Sequence, residues 1–136
     1  MQLNVFRTLW GVTTPWQQTV SELQSVGCCG IEARVPLTTE EQRTLARRLE
    51  ASALQYIAIV FSGGGVIPAQ AETPAQHLER LKERFAAAKA LNPRFVNLLA
   101  GNDRWPLAQQ VDFLGRAHEL AAEYELLCSF ETHRAT

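Results

Sequence analysis

The sequence predicts an α/β protein, an incomplete (β/α)₈ TIM barrel of about four and a half βα units with parallel strands. Short runs rich in Val, Ile, Leu and Phe alternate with amphipathic stretches along the 136 residues. The apolar runs show little alternation, which is typical of strands covered on both faces. The strands start about 30 residues apart on average, so eight units would need roughly 250 residues, the usual size of such a barrel. The predicted strands are Asn4–Leu9, Gly30–Val35, Gln55–Phe61, Arg94–Leu99 and Leu126–Phe130.

Three of the four predicted helices begin at a threonine. Thr14 and Thr73 are each followed by proline and, three residues on, by glutamine, while Glu41 follows Thr38 at the same distance. A threonine with Gln or Glu three residues later is a capping box, and proline suits the first helical position. Pro106 opens the fourth helix with no oxygen cap directly before it.

A five-stranded, doubly wound sheet of the flavodoxin type is the alternative architecture. It has about this length, but it normally ends in a helix that covers one face of the sheet. Here the sequence ends six residues after the fifth predicted strand, with no fifth helix. The pattern therefore favours the barrel, and we expect residues 1–136 to form a single domain, the N-terminal portion of one.

Composition and charge exclude several classes of protein. The 13 basic and 14 acidic residues give a net charge of −1, which argues against a nucleic-acid partner. The N-terminus lacks a signal-peptide pattern, and no apolar run approaches the roughly 20 residues of a membrane span. The sequence has three cysteines, Cys28, Cys29 and Cys128, and their spacing is not that of a zinc site. A disulfide between the adjacent Cys28 and Cys29 would be strained. We expect a cytoplasmic protein with free thiols and no membrane partner.

Polar residues cluster where the predicted strands end, and both architectures place an active site there. Glu131 and His133 follow the fifth strand and point to one face if the chain stays extended. A carboxylate is a hard metal ligand, and the imidazole could be a second ligand or an acid–base group. The alternative is a strand that simply ends in polar residues. The other histidines, His77 and His118, fall within helices, where we expect them to be exposed or to pack between helices.

Other strand ends offer further candidates. Glu32 could contact a substrate hydroxyl group or pair with Arg34 on the same face of its strand. Trp10 could wall a sugar pocket or belong to the core, and Asn97 lies in the fourth strand. Glycines 63–65 could offer backbone N–H groups to a phosphate, but no lysine or P-loop pattern follows, which favours a flexible loop.

Four segments together resemble the xylose isomerase-like TIM barrel superfamily, which includes sugar phosphate isomerases and epimerases. The resemblance extends over essentially the whole chain, through the order and spacing of its motifs. The segments are Phe6–Gly11, Gly27–Glu32, Asn97 with Gly101–Trp105, and Ser129–Arg134, which holds the Glu-Thr-His-Arg sequence.

The resemblance implies metal-dependent isomerisation or epimerisation of a small sugar or polyol. In such enzymes the strand-five glutamate, here Glu131, binds a divalent ion (Mn, Mg, Co or Zn), which polarises the carbonyl and hydroxyl groups of the substrate. His133 and Glu32 are the predicted catalytic residues. The predicted substrate-binding residues are Trp10, Glu32, Asn97, His133 and Arg134.

Two features depart from the family pattern. Leu99 stands where family members often carry a histidine, two residues after the strand-four asparagine. The other metal ligands and a second catalytic glutamate of the family come from strands six to eight, which this sequence lacks. Since such metal sites usually need three or more protein ligands, we expect the 136-residue chain to bind no metal tightly and to be inactive without a full-length parent.

The alternative function is that of a non-catalytic half-barrel that binds a ligand or assembles with itself. An open parallel sheet leaves two exposed edges and an uncovered interior. We therefore expect a homo-oligomer formed through the sheet edges, and whether the chain is an enzyme stays open at this stage.

Overall fold

The computed structural model describes residues 3–131 and contains, over that range, one sheet of five parallel strands. The strands lie in chain order, β1-β2-β3-β4-β5, and each pairs in parallel with the next. A flavodoxin-like sheet reverses its strand order near the first strand. The barrel-type α/β architecture is thus confirmed, and the doubly wound alternative is wrong. The elements are β1 Phe6–Thr8, α1 Trp16–Ser25, β2 Gly30–Arg34, α2 Thr39–Ser52, β3 Gln55–Phe61, α3 Pro74–Lys89, β4 Val96–Leu99, α4 Leu107–Glu123 and β5 Cys128–Glu131.

Two of the predicted capping boxes are confirmed. The hydroxyl oxygens of Thr38 and Thr73 each accept a hydrogen bond from the backbone N–H three residues on, and the side chain there bonds back to the threonine N–H. The prediction for α1 is wrong, because Pro15 occupies the N-cap position and no side chain caps this helix. Thr14 instead shares a 2.9 Å hydrogen bond between its hydroxyl group and that of Thr19. No helix within residues 3–131 has the length and apolar character to cross a membrane.

The main core lies between the sheet and its helices. Buried residues of all four helices belong to one apolar cluster with alternate residues of the strands, so the helices pack against one face. Tyr56, Ala58 and Val60 of β3 point into this cluster, and Phe85 and Phe113 are its largest fully buried side chains. The other face of the sheet carries no helix within the described residues and is left for a site.

The three cysteines are free thiols, as their spacing predicts. Burial raises the pKa of the Cys128 thiol to about 11. This thiol is therefore protonated at neutral pH and a poor nucleophile.

A buried polar network anchors the loop between β3 and α3. The Ser62 hydroxyl lies 2.8 Å from Nδ1 of His77 and accepts a 2.9 Å hydrogen bond from the backbone N–H of Gly101, beyond β4. Ser62 and His77 are both fully buried. When Nδ1 carries no hydrogen, the Ser62 hydroxyl donates to it while accepting from Gly101. The network joins the β3–α3 loop to the end of β4.

The carboxylate of Glu72 holds the same loop from its other side. Its Oε2 atom accepts hydrogen bonds from the backbone N–H of Gly64 at 3.0 Å and from Nη1 of Arg80 at 2.7 Å. The same oxygen lies 3.1 Å from Nε2 of His77, without hydrogen-bond geometry. The Gly64 N–H is thus already paired with a side chain, which disfavours a phosphate cradle at glycines 63–65.

Opposing effects act on the two titratable groups of this network. Burial lowers the pKa of His77 and outweighs the nearby negative charge of Glu72. For Glu72, burial alone would raise the pKa, but hydrogen bonds from the Gly64 and Ala69 backbones and the charge of Arg80 bring it below its usual value. In the folded protein at neutral pH, His77 is therefore neutral and Glu72 is charged.

Replacing Gly30 and Gly115 by alanine should change stability in opposite directions. A methyl group at Gly30 would collide with the carbonyl oxygen of Gln55 and the ring of Phe6, whereas one at Gly115 meets open space within α4. We expect Gly30→Ala to lower the free energy of unfolding by about 2 kcal/mol, and Gly115→Ala to raise it by about 1 kcal/mol. Urea denaturation measures both, and equal stability of the two variants would contradict the close packing at Gly30.

The stability of the protein should decline as the pH falls below about 6.5, the usual pKa of histidine. The unfolded chain then binds a proton at residue 77, while the folded state resists it because the His77 pKa is lowered. One such proton makes the free energy of unfolding fall by up to about 1.4 kcal/mol per pH unit. Urea denaturation at pH 7.5, 6.5 and 5.5 should show a smaller decline in His77→Gln than in the control His118→Gln, whose histidine is exposed on α4. The same decline in both variants would contradict this role of His77.

Candidate functional site

Three predicted site residues meet on the helix-free face, near the C-terminal ends of the strands. Side chains alternate along each strand, so Glu32, Asn97 and Glu131 share this face. The Nδ2 atom of Asn97 donates hydrogen bonds to Oε1 of Glu32 at 3.3 Å and to Oε2 of Glu131 at 2.7 Å. One amide group on β4 thereby joins carboxylates from β2 and β5.

Ser129 lies beside the oxygen of this amide group. Its hydroxyl is within hydrogen-bonding distance of two acceptors, Oδ1 of Asn97 at 3.3 Å and the backbone carbonyl of Val96 at 3.4 Å. The amide oxygen thus faces β5, and both amide hydrogens are left for the carboxylates. Each carboxylate binds the amide through one oxygen. Within residues 3–131, the second oxygens of Glu32 and Glu131 make no hydrogen bond and remain available to a ligand.

The carboxylates border a cavity of about 230 Å³. This is smaller than the usual pocket for a drug-sized molecule, and it suits a small ligand. Its walls combine the polar group just described with apolar side chains of β3, β4 and the β3–α3 loop. The lining residues are Thr8, Trp10, Glu32, Ile59, Phe61, Val66, Asn97, Leu99 and Glu131.

The apolar wall includes Leu99, the residue that stands two positions after Asn97 in β4. Leu99 packs with Ile59 and Phe61 in a small cluster on the helix-free face, against Val66 of the β3–α3 loop. All three buried members have at most 8% of their surface exposed. This position thus contributes packing to the floor of the cavity and offers no metal ligand.

Two alternatives that the sequence left open can be compared with the structure. Trp10 has 53% of its surface exposed and borders the cavity, so it belongs to the pocket wall and not to the core. Glu32 is hydrogen-bonded to Asn97, and it makes no ion pair with Arg34. Arg34 instead packs its guanidinium carbon 4.6 Å from the ring centre of Trp10 and 4.8 Å from that of Phe61.

The donor set fits a hard divalent cation in part. Glu32 and Glu131 offer carboxylate oxygens, the ligands that Mg²⁺ and Mn²⁺ prefer. No group of three or more His, Cys, Asp or Glu side chains that could hold a metal occurs within residues 3–131. The two carboxylates could therefore form one side of a metal site. His133 and Arg134, predicted to act beside them, lie outside the described residues.

Sequence reasoning did not identify the network that shapes this pocket from behind. His77 packs its ring 4.7 Å from that of Trp105 and 5.8 Å from that of Phe113 on α4, which confirms the helix-packing expectation. Its link through Ser62 to the end of β4 was not predicted. The three participants come from two loops and a helix, and no sequence spacing indicates that they meet.

Comparison with known proteins gives matches in structure alone. No protein-family model matches the sequence. No curated protein sequence matches it either.

Several solved structures are similar to the chain, at low sequence identity. A D-allulose 3-epimerase from Methylomonas sp. in complex with D-allulose has 14% identity and a TM-score of 0.71, covering 98% of this chain and 53% of that chain. A xylose isomerase domain protein from Planctomyces limnophilus has 18% identity and a TM-score of 0.66, covering 98% and 55%. An IolI protein with a bound zinc atom has 12% identity and a TM-score of 0.67, covering 94% and 51%.

The chain spans about half the length of these solved structures. The match includes nearly all of the present chain, with its five parallel strands in sequential order. The chain therefore has the fold of part of a TIM barrel like those of these solved structures, with five of its parallel strands in sequential order.

Proposed function

We propose that this chain forms the substrate-facing part of a barrel that isomerises or epimerises a small sugar or polyol with the help of a divalent metal ion. The observation that carries the proposal is the Asn97 amide group, hydrogen-bonded to both Glu32 and Glu131 at the border of a small cavity. Parallel α/β barrels hold their active sites at this end of the strands. The similar structures include an epimerase in complex with D-allulose and a protein with a bound zinc atom, which supports both parts of the proposal.

Glu131 is the proposed metal ligand. Mn, Mg, Co or Zn bound there would act as a Lewis acid on the carbonyl and hydroxyl oxygens of the sugar. The Asn97 hydrogen bond holds Oε2 of Glu131, and Oε1 stays available for the ion. Further ligands are needed, and we propose that they come from chain outside residues 3–131.

Glu32 is the proposed acid–base group. A carboxylate can take a proton from a carbon next to a carbonyl group and return it if a ligand carbon lies within reach. Glu32 is partly buried and borders the cavity, with one oxygen held by Asn97 and the other available. His133, two residues beyond Glu131, would share proton transfer and substrate binding, and Arg134 would bind substrate.

Asn97 and Trp10 have different proposed parts in substrate binding. Both amide hydrogens and the oxygen of Asn97 are engaged, so the residue orients the two carboxylates and reaches a substrate hydroxyl only by exchanging one of these bonds. Trp10 is half exposed at the cavity mouth and would cover the apolar face of the sugar.

The isolated chain should bind Mn²⁺ weakly, with a dissociation constant above about 0.1 mM, because two carboxylates are an incomplete ligand set. Electron paramagnetic resonance of free Mn²⁺ measures this constant. Glu131→Gln should weaken binding at least several-fold, whereas Glu79→Gln, which changes an exposed glutamate of α3, should leave it unchanged. Identical titrations for the two variants would contradict a metal role for Glu131. Tight binding by the unmodified chain would contradict its proposed inactivity when alone.

The full-length protein that contains this chain should catalyse hydrogen exchange on a ketose when Mn²⁺ is present. The hydrogen next to the carbonyl group of the ketose should be replaced by deuterium from the solvent. Proton NMR in D₂O over a panel of ketoses follows the exchange. Glu32→Gln should slow it by about 100-fold or more, as expected for the loss of a general base, with Mn²⁺ binding retained. Glu79→Gln is again the matched control. If no ketose exchanges with any of the four metals, the proposal is wrong.

A self-assembling half-barrel is the second candidate, and exposed apolar side chains at the last helix and strand favour it. Leu107, Val111 and Leu114 of α4 and Leu127 and Phe130 near β5 are all exposed. Large contiguous apolar surfaces usually bind another protein surface. Both end strands of the sheet, β1 and β5, pair on one side only within the described residues.

If this surface joins two copies, sedimentation equilibrium should show a dimer or larger assembly at micromolar concentration. Val111→Glu would bury a charge in such a contact and should shift the mass towards the monomer. Gln109→Glu adds the same charge to an exposed position of the same helix and should have no effect. A monomeric unmodified chain would rule out this candidate.

A further inference from the structure

Arg34 is a fixed cation without a counter-ion among the described residues. It ends β2 on the same face as Glu32, two residues earlier, and is exposed. Within residues 3–131 its guanidinium group makes no hydrogen bond and no ion pair. Arg7 and Arg80 show the contrast, since each pairs with a glutamate at 2.7 to 2.8 Å.

Aromatic rings hold the guanidinium group in place. Its central carbon lies 4.6 Å from the ring centre of Trp10 and 4.8 Å from that of Phe61, and the two rings are 6.1 Å apart in an edge-to-face arrangement. Cation–π contacts of this kind hold a cation without neutralising it. The rings thereby orient the planar guanidinium group of Arg34, and its N–H groups form no hydrogen bonds with the described residues. A guanidinium group with free N–H donors can bind a phosphate or a carboxylate through two parallel hydrogen bonds.

Among the described residues, no carboxylate lines the cavity beside Arg34. A cavity of about 420 Å³ is lined by Arg34 with the apolar or neutral residues Leu9, Trp10, Gly11, Ala33 and Ile59. The nearest acidic residue along the strand, Glu32, is hydrogen-bonded to Asn97. A second guanidinium group, that of Arg84, donates to the backbone carbonyls of Phe61 and Gly63 behind the wall. Burial is the main cause that lowers the pKa of Arg84; the charge of Arg80 and, less strongly, that of Arg34 act in the same direction, and the charges of Glu83 and Glu72 oppose them.

The cation-lined cavity adjoins the carboxylate-lined one. Trp10 and Ile59 border both of them, so the two cavities share a wall. One end of the combined groove carries the positive charge of Arg34, and the other carries the two negative charges of Glu32 and Glu131. A ligand that complements this pattern has an anionic group at one end and uncharged or metal-binding oxygens at the other.

We propose that Arg34 binds an anionic substituent, a phosphate or a carboxylate, on the small sugar that this site accepts. The inference rests on the proposed function, because the carboxylate end of the groove would hold the reacting part of the same molecule. Arg34 is then the residue that selects a charged sugar over its neutral counterpart.

Binding of three probes distinguishes the possibilities: D-fructose, D-fructose 6-phosphate and D-gluconate. Quenching of tryptophan fluorescence or saturation-transfer NMR gives the dissociation constants for the protein with Mn²⁺. We expect at least one anionic probe to bind about tenfold more tightly than fructose, the gain of one charge-assisted, two-point contact. A preference for the phosphate or for gluconate identifies the type of anion.

Variants of Arg34 assign the preference to this side chain. Arg34→Gln should remove it, so that the anionic probes bind no more tightly than fructose, and Arg34→Lys should keep only part of it, because lysine retains the charge but loses the fork. Arg116→Gln, at an exposed position of α4, removes the same charge elsewhere and should have no effect. Equal affinity of the unmodified protein for all three probes, or identical behaviour of Arg34→Gln and Arg116→Gln, would overturn the inference.

Failure of the anion site and failure of the proposed function give different results. If Arg34 binds the anion but the site is not an isomerase, the Arg34-dependent preference persists, while Glu131→Gln changes neither Mn²⁺ binding nor the affinity for fructose. If the function is correct and the anion site is wrong, fructose binding and Mn²⁺ binding depend on Glu131, and the charged probes show no preference.

Discussion

The structure depends on the packing of all four helices against one face of a sheet whose strands follow chain order. Each helix returns the chain to start the next strand in parallel, and the apolar side chains of that face, such as Val60 and Leu98, are buried beneath the helices. Because side chains alternate along a strand, every second residue is then turned to the opposite face. The polar groups of the site occupy that second face, and their placement follows from the burial of the first.

Two buried polar side chains at the back of the site are joined by a hydrogen bond, although Nε2 of His77 has no hydrogen-bond partner among the described residues. Ser62 and His77 are fully buried, and the hydroxyl of Ser62 is joined to both His77 and Gly101. A buried polar group without a partner costs about 1 to 3 kcal/mol, and because burial disfavours the charged form of His77, the network contains the neutral imidazole. It holds the β3–α3 loop, whose Val66 completes the apolar wall of the cavity. The packing of the pocket is thus coupled to the protonation of a residue that does not line it.

The sequence predicted the order and type of the elements better than their ends. β3 has the predicted bounds because its seven residues are continuously apolar after the first. β5 begins two residues later than predicted, since the Leu126 N–H bonds to the carbonyl of Ala121 and Leu127 remains exposed. The prediction that Thr14 caps α1 was wrong, although Thr73, in the same Thr-Pro-x-Gln pattern, does cap α3. The local pattern alone therefore does not determine which residue takes the N-cap conformation.

The candidate site could be predicted as a set of residues but not as an arrangement. Glu32, Asn97 and Glu131 were each indicated by their positions near strand ends. The bridging of the two carboxylates by Asn97 depends on the register between β4 and its neighbours, where Asn97 lies opposite Ser129 and Ile59. Sequence also left the pairing of Arg34 open, because only the structure shows that Glu32 is hydrogen-bonded to Asn97 instead.

The sequential strand order has a consequence for the way in which the protein assembles. Each strand pairs only with its neighbours in the chain, so the first four can form their ladder during synthesis before β5 has emerged. The hydrogen bond between Asn97 and Glu131, however, requires β5 to be docked. A nascent chain therefore acquires most of its hydrophobic core before its pair of bridged carboxylates, so a partly synthesised molecule can be compact before these two groups meet.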